Sequence, residues 1–483
     1  MIRTHPLLLC VLLVLNGCYF MRGSSGGGEA RFLPPRPIIA TDIALPEGYE
    51  IEPVATGLTF PTGVAFDEAG RVYVTESGYA YGEVFTSPRL MRIDSGEPVE
   101  IARGSDGPWN GVTFHDGVFY VAEGGQMDGG RILRITLEGD VNPLVSDLPS
   151  IGDHHTNGPA IGPDGLIYFG QGTATNSAIV GVDNADFGWL HRHPNFHDIP
   201  CRDLALTGLN VTTPNPLTPE RNDQAITGAY VPFGTSTTAG QIIPGAVPCS
   251  GAVLRVSPQG GAPELVAWGF RNPFGLAFAP DGRLFVTDNG YDDRGSRPVW
   301  GTGDLLWEVT PGIWYGFPDF AGGVPLNGGT FKPPGESAPS FLLTDWPNDP
   351  PHATALLGVH SSSNGFDFSR SGAFGYEGDA FIAQFGDMAP GVGKVLAPVG
   401  FKIVRVDVDT GVVEGFASNK GSKVGPASRI GGGGFERPVA VRFSNDGASL
   451  YVVDFGVMTT GKDGPTPHPN TGVLWRITRG GSP

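Results

Sequence analysis

Three short stretches of the chain carry side chains able to do chemistry. Asp153-His154-His155-Thr156-Asn157 sets two imidazoles beside a carboxylate. Imidazole changes charge near neutral pH and suits proton abstraction, and an adjacent carboxylate can orient it. The plainer alternative is a pair of histidines hydrogen-bonding a loop. Gly269-Phe270-Arg271-Asn272-Pro273 offers a permanently charged fork of donors suited to an oxyanion, or a turn cap. Asp288-Asn289-Gly290-Tyr291-Asp292-Asp293, with Asp304 beyond it, mixes carboxylates with turn carbonyls. Ca²⁺ takes roughly six to eight such oxygens in a flexible cage. The spacing is not that of an EF-hand, and solvated turn acids are the alternative. His191, His193 and His197 form a His-x-His-x3-His run with zinc-like spacing. They sit in an irregular stretch where no regular element fixes that spacing, so loop packing is the default.

Residues so far apart meet only if a repeating framework brings them together, and the chain has one. A phrase recurs: a small residue, apolar alternation, a polar turn with Gly, then a β-rich run. It reads PTGVAFDEAGRVYVTES at 61–77, NGVTFHDGVFYVAEG at 110–124, NGPAIGPDGLIYFGQG at 157–172 and NPFGLAFAPDGRLFVTDNG at 272–290. A degraded copy spans 363–386, and RPVAVRFSNDGASLYVVDFG closes the series at 437–456. Each copy has a partner strand: 89–94, 131–136, 252–257, 305–310, 402–407 and 473–478. Asp-Gly between alternating runs is a strong hairpin signal, and radial repetition of small sheets protects their edges. The expectation is an all-β, six-bladed β-propeller with four-stranded blades over 45–479. The stretch 181–250 breaks the rhythm and is expected to be a long irregular insertion, a lid or a surface decoration. Cys201 and Cys249 bracket most of it and are expected to pair in an exported protein.

Export is read from the N-terminus. Residues 1–17 combine Arg3 with an apolar run too short to span a bilayer, as in a signal peptide. Leu15-Asn16-Gly17-Cys18 resembles a bacterial lipoprotein processing site, so Cys18 is a candidate for lipid attachment to a membrane. The expected location is the periplasm, free or lipid-anchored, or outside the cell. Residues 18–44 read as a Gly/Ser-then-Pro linker. The net charge of −18 excludes a nucleic-acid binder, which needs a basic footprint. No Cys-x-x-Cys-His occurs, which excludes an attached c-type haem.

The Asp-His before the third phrase, the G-x-R-N-P-x-G-L-A-F-x-P-D-G-x-L block, the acidic turn and Trp-Tyr-Gly-Phe-Pro at 314–318 together resemble the soluble quinoprotein glucose/sorbosone dehydrogenases, including their aldose dehydrogenase branch. The resemblance implies calcium- and PQQ-dependent oxidation of an aldose or related sugar, with electrons passed to a separate quinone or cytochrome. It implies that His154 takes the sugar hydroxyl proton, that Arg271 stabilises charge on the quinone oxygen, and that Asn272 helps hold the cofactor. It implies cofactor contacts from Asp153 and Arg437, and calcium ligands from Gly290, Tyr291 and either Asp292 or Asp293. His155 sits beside His154, so the base is one of the two. Lys402 is a weak match for a lysine contact to the cofactor. Two other readings compete: a calcium-dependent lactonase on the same kind of propeller, and a non-catalytic ligand-binding propeller. The first needs no quinone-shaped site; the second needs no base, arginine and acidic turn together.

Overall fold

In the computed structural model each phrase folds into the two inner strands of a four-stranded antiparallel sheet, and six such sheets form a ring. The structure describes residues 32–80, 83–84, 86–95, 97–125, 129–186, 188–332, 335–388, 397–461 and 464–480. The export signal read over 1–17 and Cys18 lie outside the described residues.

Blade 1 runs Pro61–Phe66, Val72–Glu76, Arg89–Asp94 and Glu97–Arg103 from the axis outward. Blade 2 runs Trp109–His115, Val118–Glu123, Gly130–Thr136 and Val141–Leu148. Blade 3 begins with Thr156–Ile161 and Ile167–Gln171 and finishes, after the long excursion, with Ala252–Val256 and Glu264–Trp268. Blade 4 runs Pro273–Phe278, Leu284–Asp288, Gly303–Glu308 and Ala355–Val359. Blade 5 runs Ser363–Phe368, Ala380–Gln384, Lys402–Asp407 and Val412–Asn419. Blade 6 takes Pro438–Phe443, Ser449–Asp454 and Gly472–Arg479 from the C-terminal end and its outer strand, Tyr49–Leu58, from the N-terminal end. This exchange closes the ring, and the inner strand of blade 6 lies against that of blade 1.

Burial follows from the architecture. The second strand of a blade has neighbouring blades on both faces, so Val118–Glu123 and Ala380–Gln384 are buried at every position. An outer strand has solvent beside it, so Glu97–Arg103 is mostly exposed or half-buried. Asp116 and Gly117 both take positive φ, 49° and 78°, as the two-residue hairpin of blade 2 requires. Gly111 lets blades 2 and 3 approach: a Cβ there would lie 1.9 Å from the Gly158 carbonyl oxygen.

The stretch read as a linker contributes to the fold from residue 36 onward. Arg36 is buried against blade 6, donating to Asp454 Oδ2 at 2.5 Å, and Ile43–Ala44 pairs with the outer strand of blade 5. A buried guanidinium needs a carboxylate and carbonyls, and the Pro-rich segment supplies the reach. Nearby Glu436 is pushed up to about 7 by burial, against the pull of Arg36. Asp198 in the excursion is likewise pushed up to about 7 by burial. In the unfolded chain such carboxyls ionise near ~4. The native state therefore binds more protons than the unfolded one from about that pH up to about 7, and stability falls as pH rises through this window. The thermal midpoint is expected to drop between about pH 5 and 7 and to level off above that. Glu436→Gln should flatten the drop; an unchanged pH profile in that variant would remove Glu436 as its source.

The excursion is not a loose appendage. It holds two short helices, Val182–Asp186 and Trp189–Arg192, and two small antiparallel ribbons, Leu204–Ala205 with Ile242–Ile243 and Asn210–Pro214 with Gln224–Gly228. Ile179, Leu204, Leu206 and Tyr230 share one buried cluster with Trp268, Trp314 and Phe320 of the propeller. Cys201 and Cys249 are bonded, with Cα atoms 5.1 Å apart. A crosslink of this loop length stabilises by about 2–4 kcal/mol, largely by restricting the unfolded chain. The double Cys→Ser variant is expected to lose that much in denaturant titration; a loss under ~0.5 kcal/mol would mean that burial alone holds the excursion.

Candidate functional site

One face of the ring opens into a cavity of about 200 Å³ at the axis, lined from all six blades. His154, His155, Arg271 and Asn272 line it, with Asp153, Gly290, Asp292 and Asp304. All but Asp304, which opens the third strand of blade 4, come from the end of an inner strand or the loop after a second strand, so the phrase repeat delivers them to one mouth. Tyr291, Asp293, Arg437 and Lys402 are not on its wall.

His154 is buried and tied back to residue 173. Its Nδ1 lies 2.8 Å from the Thr173 carbonyl oxygen and 3.0 Å from the Thr173 hydroxyl. A carbonyl only accepts, so Nδ1 carries the proton and Nε2 is the bare nitrogen. Burial, then the charges of Arg271 and Arg294, push the His154 pKa well below the usual imidazole range. The ring is therefore neutral at physiological pH, with a lone pair to accept a proton. Asp153 does not orient it, as adjacency led us to expect. That carboxylate accepts from Asn184 Nδ2 at 3.0 Å and pairs with Arg294 Nη2 at 2.7 Å. Burial pushes Asp153 up to about 6 against that pull. His155 lines the same cavity, its pKa pushed down to about 4 by burial.

Arg271 is held rigidly. Nη2 donates to Asp292 Oδ2 at 2.8 Å and Asn176 Oδ1 at 2.9 Å, and Nε donates to the Asn176 carbonyl at 3.1 Å. From behind, Asp288 accepts the backbone N–H groups of Arg271 and Asn272 at 3.1 and 2.7 Å and the Trp307 indole N–H at 3.3 Å. Burial pushes Asp288 up to about 6. Asp288 thus latches the Arg271-Asn272 turn rather than facing a ligand. The same latch recurs at Asp454 under Glu436 and Arg437.

Three wall residues, Arg294, His360 and Trp189, carry no mark in the sequence. Arg294 pairs with Asp153, Asp183 and Asp292, which outweigh its burial and hold it charged. His360 sits 3.5 Å from Asp292 with a positive φ of 54°. Trp189 reaches the cavity from the excursion. None belongs to a phrase, so no repeat marked them. His191 is exposed and His197 bonds the Asp198 carbonyl; among the described residues no three metal-ligating side chains converge, here or elsewhere.

Arg437, expected at the cofactor, is not on the cavity wall. It is fully buried, donating to the carbonyls of Phe385, Gly386 and Asp387, and its charge lies over the rings of Phe385 and Phe401. Phe385, Gly386 and Asp387 line the cavity, and Arg437 braces their carbonyls.

The fold is shared with sugar dehydrogenases. Similar solved structures include the PQQ domain of a pyranose dehydrogenase from Coprinopsis cinerea, at 15% identity and TM-score 0.53, covering 92% of this chain and 98% of that one. A soluble aldose sugar dehydrogenase from Escherichia coli matches at 14% identity and TM-score 0.50, covering 89% and 99%. A calcium structure of a family AA12 carbohydrate-active enzyme from Trichoderma reesei matches at 15% identity and TM-score 0.51, covering 93% and 98%. No protein-family model and no curated protein sequence matches the chain.

The wall suits a polar organic molecule with an apolar body. Guanidinium, imidazole and carboxamide groups stand beside Trp189, Phe274, Phe385 and Phe455, an apolar body with a few convergent polar groups. The acidic turn suits a metal less well. Asp292 faces two guanidiniums and an imidazole, the Tyr291 carbonyl accepts the Thr302 hydroxyl, and Asp304 accepts from Gly290 N, Ser363 N and the Ser361 hydroxyl. These side chains do not by themselves make a calcium cage.

Proposed function

We propose that this propeller is a PQQ-dependent dehydrogenase of an aldose or related sugar. The observation that carries the proposal is His154: a neutral imidazole with Nδ1 pinned by Thr173 and Nε2 bare, on the wall of the axial cavity beside Arg271. When bound, PQQ supplies the two-electron acceptor for the hydride leaving the sugar carbon. His154 takes the hydroxyl proton, so the carbinol becomes a carbonyl with charge and electrons balanced. Arg271, fixed by Asp292, Asn176 and the Asp288 latch, would hold the cofactor with its positive charge and favour negative charge on an oxygen beside it. The Trp189, Phe385 and Phe455 surfaces exclude water from the reacting atoms.

The test adds PQQ to purified apoprotein, with and without Ca²⁺, and follows quinone absorbance and dye reduction across an aldose panel. Saturable PQQ binding with aldose-dependent dye reduction is the expected result. Absence of both, with and without Ca²⁺, would overturn the reading.

A further inference from the structure

The cavity floor carries a one-way chain of carboxamides that crosses four blades. Asn110 Nδ2 donates to Asn157 Oδ1; Asn157 Nδ2 donates to Asn272 Oδ1 at 3.0 Å; Asn272 Nδ2 donates to Asn289 Oδ1 at 2.8 Å; and Asn289 Nδ2 donates to the Ser363 carbonyl at 3.0 Å. Its direction is set at two points by groups that only accept. The Ser363 carbonyl demands the nitrogen of Asn289, and the Pro273 carbonyl, 3.3 Å from Asn157 Nδ2, demands the nitrogen of Asn157. Asn157 therefore presents oxygen to Asn110, which must answer with its nitrogen. What remains at the head of the chain is Asn110 Oδ1. No donor among the described residues bonds it, and Asn110 lines the cavity.

This oxygen is more than a spare acceptor. Each link in such a chain polarises the next, strengthening it by roughly 10–30%. Beside it, Thr62 lines the same wall with its hydroxyl proton committed to the Trp109 carbonyl at 2.6 Å, which leaves only lone pairs to offer. Asn110 and Thr62 thus present acceptors on the wall from blades 1 and 2, whereas Arg271 and Arg294 present positive charge from beyond blade 3. His154, at the start of blade 3, stands between them.

We propose that Asn110 Oδ1 is a specificity-determining acceptor for a substrate hydroxyl, orienting a polyol on the blade 1–2 side while the anionic, acceptor-rich cofactor takes the side of Arg271 and Arg294. This rests on the reading of the cavity as a sugar-oxidising site. A ligand that covers this oxygen without offering it a hydroxyl leaves a polarised acceptor unpaired and cut off from water, so the site discriminates against it.

Two measurements test this. In PQQ-loaded wild type, kcat/KM for D-glucose is expected to exceed that for one of its monodeoxy analogues by about tenfold. In Asn110→Leu that ratio should fall to about one. A purely structural role would lower all rates together and leave the ratios alone. Independently, the carboxamide ¹⁵N–¹H resonances of Asn110 in the apoprotein, assigned by their loss in Asn110→Leu, should shift on titration with D-glucose. Unchanged ratios in an active Asn110→Leu, or no resonance shift, would overturn the proposal. A glucose-dependent shift in a protein that oxidises no sugar would keep the hydroxyl subsite and remove the dehydrogenase reading instead.

Discussion

His154→Ala is expected to lower sugar oxidation by about 10²–10⁴-fold while PQQ binding stays within a few-fold of wild type. The difference comes from geometry. His154 is fixed by Thr173 on one ring nitrogen and offers the other to a proton, whereas Arg271 and Arg294 carry the positive charge of the cavity. Loss of the imidazole removes the proton acceptor and leaves both guanidiniums in place, each still held by Asp292. Because the His154 pKa is pushed down, the neutral ring persists as pH falls below the ordinary imidazole range, so its protonation should not cut the rate between pH 6 and 8. Dye-reduction kinetics beside an equilibrium titration of PQQ fluorescence separate the two effects. Wild-type turnover in His154→Ala with PQQ bound would assign the proton to another group, and His155, on the same wall, is the next to replace.

Asp454→Ala is expected to destabilise the propeller by about 3–5 kcal/mol, the usual result of stripping the partner from a buried charge. Asp454 is fully buried and serves five donors: Arg36 Nη2, Trp475 Nε1 and the backbone N–H groups of Glu436, Arg437 and Gly456. These donors join the N-terminal segment to the blade that receives the N-terminal strand, so the carboxylate sits at the seam where the ring closes. Its loss leaves the Arg36 guanidinium with only the more distant Glu436 at 3.8 Å and two carbonyls. Urea titration of the two proteins measures the difference. A change under ~1 kcal/mol would show that strand pairing between 49–58 and 472–479 closes the ring without the ion pair.

The architecture was legible before any coordinates because it is local. Alternation of period two fixes which side chains face a neighbouring blade, and turns such as Asp116-Gly117 fix each hairpin, so six phrases imply six sheets. Phrase ends also pointed to His154, His155, Arg271 and Asn272, since equivalent strand ends in a ring face one axis. The signal for Asn110 is present too: Asn stands within one residue of the start of the inner strand in the second, third, fourth and fifth phrases.

What a local pattern does not encode is partnership across the ring. Asp288 and Asp292 belong to one acidic run, yet one closes a backbone turn from behind and the other sits among Arg271, Arg294 and His360. Arg437 begins the last phrase as a strand-end cation should, but it is buried on the carbonyls of residues 385–387 and is not on the cavity wall. Asp153 adjoins His154 in sequence and turns away to Arg294, more than a hundred residues on. Charges and carbonyls are satisfied by whatever the closed ring brings within about 3 Å. Sequence determined the blades and the mouth; the neighbours of each charged group at that mouth were decided only by closure of the ring and by the excursion folding back onto it.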